Sequence, residues 1–260
     1  MARRLALGGV IAIALWLATL LVLDHVVASR QAATTTARIG ESLQGTATLA
    51  DVDLALIRGR LELQGLAVHR DDVIGHLALD VREVDCELGP LGWALVDRGC
   101  RELAVRGVRL EVSTAALFKL QRPKQKPIHA DRVVIDDAQL AFAPSALLPS
   151  VGRIQITIDH AETGPTTFLT PLSWIFALDT LRAHVELPAG VTVHLTYDHG
   201  MFGAAGSLFG STPVQLPLQL PVATLYTDAH DEIQALVKLG TELAEQLVAK
   251  RAEDWVRSKL

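Results

Sequence analysis

The chain has 260 residues, half of them hydrophobic, with 24 Lys and Arg against 29 Asp and Glu for a formal charge of −5. A mean hydropathy of +0.30 is high for a wholly soluble protein and predicts that part of the chain meets lipid, while the absence of a basic surplus or a long basic run excludes nucleic acid as the expected partner. Two cysteines exclude a disulfide-dense scaffold and, by themselves, a structural zinc site.

Leu5 to Leu23 is an uncharged apolar run. At ~1.5 Å per residue it spans ~28 Å, close to the ~30 Å hydrocarbon core of a bilayer. Arg3 and Arg4 precede it and favour a cytoplasmic N-terminus. Residues 1–27 are therefore read as an uncleaved transmembrane anchor. The rival is a cleaved signal peptide with small residues at Val27 and Ser29, although the apolar regions of such peptides usually run only ~7–15 residues. No cysteine lies near the segment, which excludes a lipid-modified cysteine anchor. Residues 28–45 are small, polar and Thr-rich, and read as a short linker or the end of a helix leaving the membrane.

Residues 46–226 are read as the β domain. Through about Val222, apolar and polar residues alternate in short stretches cut by Gly, Pro and Asp, the signature of half-buried antiparallel strands. One pattern recurs. Leu61, Leu63, Leu66 and Val68 flank Gly65; Leu103, Val105, Val108 and Leu110 flank Gly107; Val133, Ile135, Leu140 and Phe142 flank Asp137 and Ala138. In each copy the apolar parity slips by one residue at Gly65, Gly107 or Asp137. A strand keeps one face inward only if that slip is absorbed, so a bulge is predicted at each position. Gly and Asp tolerate the left-handed geometry a bulge requires. Repeated bends of this kind curl a sheet, which either closes on an ordinary core or stays open as an apolar trough.

Further strands are predicted at His76–Leu88, Ile154–Ile158, Leu181–Leu187 and Val191–Tyr197. Residues 200–212 are Gly-rich and apolar. Pro213, Pro217 and Pro221 then space an extended stretch suited to an edge strand or a strap. Residues 227–260 are predicted to form an amphipathic helix, with Asp228 as N-cap and Asp231 and Glu232 near the positive helix end. Ile233, Leu236, Val237, Leu243, Leu247 and Val248 make its predicted apolar face. That face suits packing on the sheet, a lid over a trough, or a membrane surface.

Chemistry is sparse. The nine histidines show no metal-binding spacing: His194 and His199 lie five apart without a supporting motif, and His69 and His76 flank Asp71 and Asp72 in what reads as a polar hairpin loop. There is no nucleophile elbow, phosphate-binding loop or dinucleotide fingerprint. Asp136 and Asp137 fall at a predicted bulge, where Asp is expected on conformational grounds. No enzyme activity, cofactor or metal site is expected. Cys86 and Cys100 lie fourteen positions apart around a Gly- and Pro-containing turn. They either face each other across neighbouring antiparallel strands, where an oxidising compartment would join them, or remain two separate thiols.

The anchor, the segment Gly59–Val68, the following Leu77–Asp85 strand with Gly89-Pro90-Leu91, and Glu102–Val112 together resemble the opening module of AsmA-like proteins, bacterial relatives of the repeating β-groove lipid carriers. The resemblance covers roughly residues 1–145. It implies a single-pass protein of the bacterial inner membrane, its N-terminus cytoplasmic and its body in the periplasm. It further implies a curled, taco-like antiparallel sheet with an apolar inner face, membrane lipid such as phospholipid as the partner, and a role in lipid transport or envelope biogenesis. The twelve apolar residues of the three repeats named above are then the lipid-groove candidates. The chain is shorter than most members and ends in a helix the pattern lacks, which implies a partial or accessory groove. The layout is also similar to the small anchored subunit N of type II secretion systems, which implies instead a scaffold that binds envelope or secretion proteins.

Overall fold

Among the described residues twelve strands form one open, mostly antiparallel sheet, followed by one long helix. The computed structural model describes residues 33–34, 36–37, 39–41, 44–55, 59–72, 75–88, 99–113, 128–143, 153–168, 173–207, 210–220 and 229–257. The expected Leu5–Leu23 anchor, the residues between Cys86 and Cys100 from 89 to 98, Pro221 and the expected Asp228 cap lie outside the described residues. In chain order the strands are β1 (Thr46–Thr48), β2 (Asp51–Ala55), β3 (Arg60–Asp72), β4 (Gly75–Glu87), β5 (Cys100–Ser113) and β6 (Ile128–Ala143). They continue with β7 (Ile154–Thr163), β8 (Thr166–Phe168), β9 (Leu178–Leu187), β10 (Val191–Asp198), β11 (Met201–Gly206) and β12 (Gly210–Pro217). The spatial order is β1-β3-β4-β5-β6-β7-β9-β10-β11-β12, with β2 also on β3 and β8 also on β6. Pro213 and Pro217 fall in β12, at one end of that order, as strand prolines should.

The expectation of a purely antiparallel sheet needs one correction: β5 and β6 pair in parallel, from Cys100↔Ala130 to Ser113↔Ala143. Parallel neighbours require a crossover of about a dozen residues or more, and the long 114–127 connection supplies that length. The chain thus returns to the same end of the sheet before starting β6.

The predicted bulges take a different form. Gly65, Gly107 and Asp137 do adopt left-handed backbone, with φ of 63°, 65° and 55°. Yet the register runs unchanged through each level: Gln64↔Glu83 and Leu66↔Val81, then Glu83↔Arg106 and Val81↔Val108, then Arg106↔Asp136 and Val108↔Ala138, then Asp136↔His160 and Ala138↔Ile158. An isolated bulge sets two residues against one. Here each neighbour carries the same extra residue, so five adjacent strands step together along the line Gly65–Arg82–Gly107–Asp137–Asp159. At this level the register shifts at β7/β9, between Ile158↔Ala183 and His160↔Arg182. β9 lacks the matching residue, and Asp159 becomes a true bulge there.

Gly107 shows why the line needs a residue without a side chain. A Cβ at this position would lie 2.3 Å from a guanidinium nitrogen of Arg82, whose side chain crosses it to pair with Asp137 at 2.5 Å. Other pairs on the same surface include Arg60–Asp85, Arg106–Glu83 and Arg132 with both Glu102 and Glu162. Exposed pairs of this kind are screened by water and contribute little to stability. What they establish is a polar face opposite an apolar one.

The helix runs Ala229–Arg257. Leu236, Leu239, Leu243 and Leu247 lie along its sheet-facing side, and Leu247 belongs to the main buried cluster. Val237 and Val248 were assigned to that face and are instead 56% and 67% exposed. At 100° per residue they stand well round the helix from Leu243, on its outer side. Near the first turn, fully buried Glu232 accepts a hydrogen bond of 2.5 Å from Ser173 Oγ in the short 3-10 turn Ser173–Ala177.

Candidate functional site: an apolar sheet face

Above and below the stepped line, the registers align inward residues into rows that cross β3 to β7. Below it lie Leu61–Cys86–Leu103–Val133–Thr163 and Leu63–Val84–Val105–Ile135–Ala161. Above it lie Leu66–Val81–Val108–Ala138–Ile158, Val68–Leu79–Leu110–Leu140–Ile156 and Arg70–Leu77–Val112–Phe142–Ile154. All twelve groove candidates fall in these rows. The step at Gly65, Gly107 and Asp137 is what keeps them on one side, because a strand without it would turn half of them over.

Their burial divides them. Leu63, Leu66, Val68, Val133 and Ile135 are buried, whereas Leu61, Leu103, Val105, Val108, Leu110, Leu140 and Phe142 are partly exposed. Two clusters share the face. The larger extends from Cys86 and Cys100 across Val133 and Ala183 to Val214, with Leu247 and Leu243 of the helix packed on it. The smaller holds Leu66, Val68, Leu77, Val81 and Val112, with Ile39 of the helical turns at 33–41 packed against it. Val105 and Val108 touch both clusters, so the apolar surface is continuous.

β4 and β7 belong to this surface as fully as the three repeats, and sequence reasoning missed them. Their signal was present. Leu77, Leu79 and Val81 are followed by Val84 and Cys86, and Ile154, Ile156 and Ile158 by Ala161: the same three-residue step, without a glycine to mark it. Arg70 was also missed. It is the one charged residue in the five rows and is only 4% exposed.

Cys86 and Cys100 are joined by a disulfide with Cα atoms 5.4 Å apart. It ties the end of β4 to the start of β5 beneath the Leu61–Leu103 row. A bond closing a loop of about 15 residues adds ~3 kcal/mol by constraining the unfolded chain. Cys86→Ser is therefore expected to lower the melting temperature by roughly 6–12 °C for a chain of this size, and the same loss should follow reduction of the native protein. A differential scanning measurement that finds equal stability in both redox states would refute this.

The polar candidates form local pairs. His76 Nδ1 lies 3.6 Å from Asp71 at the β3–β4 end, His160 Nδ1 lies 2.7 Å from Asp136, and His199 Nδ1 lies 2.6 Å from Asp198 in the β10–β11 turn. The hydrogen bond to Asp198 raises the His199 pKa, while the Arg132 guanidinium holds the Glu162 carboxyl below its usual value. His194 is exposed, its ring centroid 6.1 Å from that of His184. Among the described residues there is no group of three or more His, Cys, Asp or Glu arranged to hold a metal, and no helix is long and apolar enough to cross a membrane.

The molecule is thus a mainly β protein built on one open twelve-stranded sheet, with an apolar face, a charged face and a C-terminal helix. No protein-family model matches the sequence, and no curated protein matches it.

Proposed function

We propose that the protein is a membrane-anchored, AsmA-like lipid-handling protein whose sheet forms a curled trough for acyl chains, with residues 1–27 as its inner-membrane anchor and its body in the periplasm. The observation that carries this reading is the run of seven partly exposed apolar side chains, centred on Val105, Val108, Leu110 and Leu140, along a sheet face that no strand closes among the described residues. Apolar patches larger than a few hundred Å² are rare on soluble monomers and mark binding surfaces. Each acyl methylene buried there contributes ~0.8 kcal/mol, so a short groove suffices to hold a lipid tail. The charged back face suits exposure to water.

A second reading has its own support. Leu243 and Leu247 of the helix already cover part of the face, as they would in a secretion-system scaffold whose sheet is simply its core. Native mass spectrometry of the body, residues 46–260, separates the two. Co-purified phospholipid is the expected result; a folded body carrying none would leave the scaffold reading in place.

A further inference from the structure

Asp179 brings a half-buried carboxylate to the β9–β10 end of the sheet. It falls at a second break in register: Glu162 pairs with Thr180 and Thr163 with Leu178, so β9 carries one residue more than β7 there. A bulge of this kind re-aims the extra side chain out of the strand's alternation. The main chain around it is held on both sides. His199 N–H donates to the Asp179 carbonyl at 2.9 Å, and Gly164 N–H donates to the Ala177 carbonyl at 3.0 Å. Gly164 also leaves room for the carboxylate, since a Cβ there would come within 3.2 Å of Asp179 Oδ2. Among the described residues that carboxylate has no ion pair and no hydrogen bond. His199 feels its charge, but His199 Nδ1 lies 2.6 Å from Asp198 and the side chain is 75% exposed.

The surroundings of Asp179 are apolar. It lines an open hollow of about 420 Å³ together with Phe176, Leu178, Tyr197, Leu218 and Leu220. Phe176 and Tyr197 are both buried. Tyr197 belongs to the inner face, because the row Leu63–Val84–Val105–Ile135–Ala161 continues through Leu181 to Tyr197, Phe202 and Leu216. One wall is formed by residues 218–220, which follow β12 and are tied down where Leu218 N–H donates to the Gly200 carbonyl at 2.8 Å. The Tyr197 hydroxyl donates to the Leu218 carbonyl over a long 3.5 Å, which leaves that oxygen able to accept again. Burial pushes the Tyr197 phenol up, and the charge of Asp179 adds to the effect. The hollow therefore combines hydrogen-bond acceptors, one of them a full negative charge, with apolar walls.

We propose that this hollow binds a primary alkylammonium group, either a free amine or the ammonium of an aminophospholipid. The ammonium donates to the Asp179 carboxylate and to the Leu218 carbonyl, and its methylenes lie on Phe176, Leu218 and Leu220. Partial shielding by those walls makes the ion pair stronger than one in open water. An alcohol of the same length lacks the charge, a carboxylate carries the wrong one, and a quaternary ammonium has no N–H to donate. The site stands whether the rest of the inner face holds lipid or is a core.

The test uses the full-length protein in detergent, titrated at low ionic strength and neutral pH with n-butylammonium, n-butanol, butyrate and tetramethylammonium. Apparent affinities are read from the rise in melting temperature with concentration. The wild type should favour butylammonium over each of the other three by at least about fivefold. Asp179→Asn should remove the preference over butanol, whereas Asp198→Asn, at the neighbouring carboxylate bonded to His199, should keep it. Dihexanoyl-phosphatidylethanolamine titrated in parallel identifies the source: tighter binding than butylammonium assigns the ammonium to a lipid head group, weaker binding to a free amine. Equal affinity of the wild type for butylammonium and butanol overturns the site, needs no variant to fold, and leaves the proposed trough as it stands. A preference unchanged in a folded Asp179→Asn overturns the assignment to this hollow. Tetramethylammonium binding as tightly as butylammonium overturns the N–H donor.

Discussion

Asp placed at Val105, or at Leu140, is expected to strip most bound lipid from the protein while the sheet stays folded. Both side chains point to the apolar face and both are partly exposed, so in the empty protein a carboxylate at either site keeps contact with water. With an acyl chain in place that water is gone, and an unpaired carboxylate must be buried against methylene groups. Burying a polar group without a partner costs about 1–3 kcal/mol by protein mutational measures, and more for a charge. The corresponding loss in retention is roughly tenfold or greater. Gln139 is adjacent to Leu140 in β6 but belongs to the opposite, exposed face, where it pairs across to Arg109. Gln139→Asp should therefore leave lipid untouched. Val105 is a better site for this substitution than Leu63, which is buried in the same row and whose replacement would be felt by the fold itself. Folded Val105→Asp and Leu140→Asp proteins that carry as much phospholipid as wild type would show that lipid lies elsewhere, or that the face is only a core.

Local periodicity made the sheet readable in the sequence. The Leu61–Val68, Leu103–Leu110 and Val133–Phe142 patterns each alternate, and each slips where the backbone turns left-handed. The cooperative nature of that slip was not readable, because it depends on which strands become neighbours. Arg82 and Asp159 sit at the same level as Gly65, Gly107 and Asp137, yet neither has a positive φ, and Arg82 is not a residue type that announces a break. The parallel β5/β6 pair was hidden for the same reason: strand direction is decided by how the 114–127 connection travels, which alternation does not encode. On the helix, Val237 and Val248 were drawn into the apolar face by residue type alone. The actual inner stripe repeats from Leu236 through Leu239 and Leu243 to Leu247, a tighter arc that leaves both valines outside. The Ser173–Glu232 hydrogen bond joins residues 59 apart and had no local signature. Arg70 was visible as a residue but not as an exception. Its meaning appears only once the row it interrupts has been assembled from four neighbouring strands.

Gly99→Val is expected to cost about 2–5 kcal/mol, by far more than a substitution at Gly107. Gly99 has φ of 89°, and a Cβ built on it would lie 1.8 Å from the carbonyl oxygen of His129 and 2.6 Å from the carbonyl carbon. The obstacle is main chain of the neighbouring strand, held in place by the pairing that begins at Cys100↔Ala130. No rotamer relieves it, so β5 and β6 must separate where they first meet. Backbone strain of ~1–2 kcal/mol for an L-residue in the left-handed region adds to ~1–3 kcal/mol for overpacking. At Gly107 the φ is similar, but the obstructing atoms are the guanidinium of Arg82, the far end of a flexible side chain that is 66% exposed. Gly107→Ala should therefore show the backbone term alone, about 1–2 kcal/mol. Chemical denaturation of the two variants beside wild type measures the difference directly, and equal losses would mean that the β5/β6 junction yields more easily than its geometry indicates. On the proposed lipid-handling reading the junction carries functional weight as well. Cys100 follows Gly99 and carries the disulfide to Cys86, and the Leu61–Cys86–Leu103–Val133 row crosses it. A variant that opens β5 from β6 there should lose lipid together with stability, whereas Gly107→Ala, whose strain lies on the charged side of the sheet, should lose stability alone.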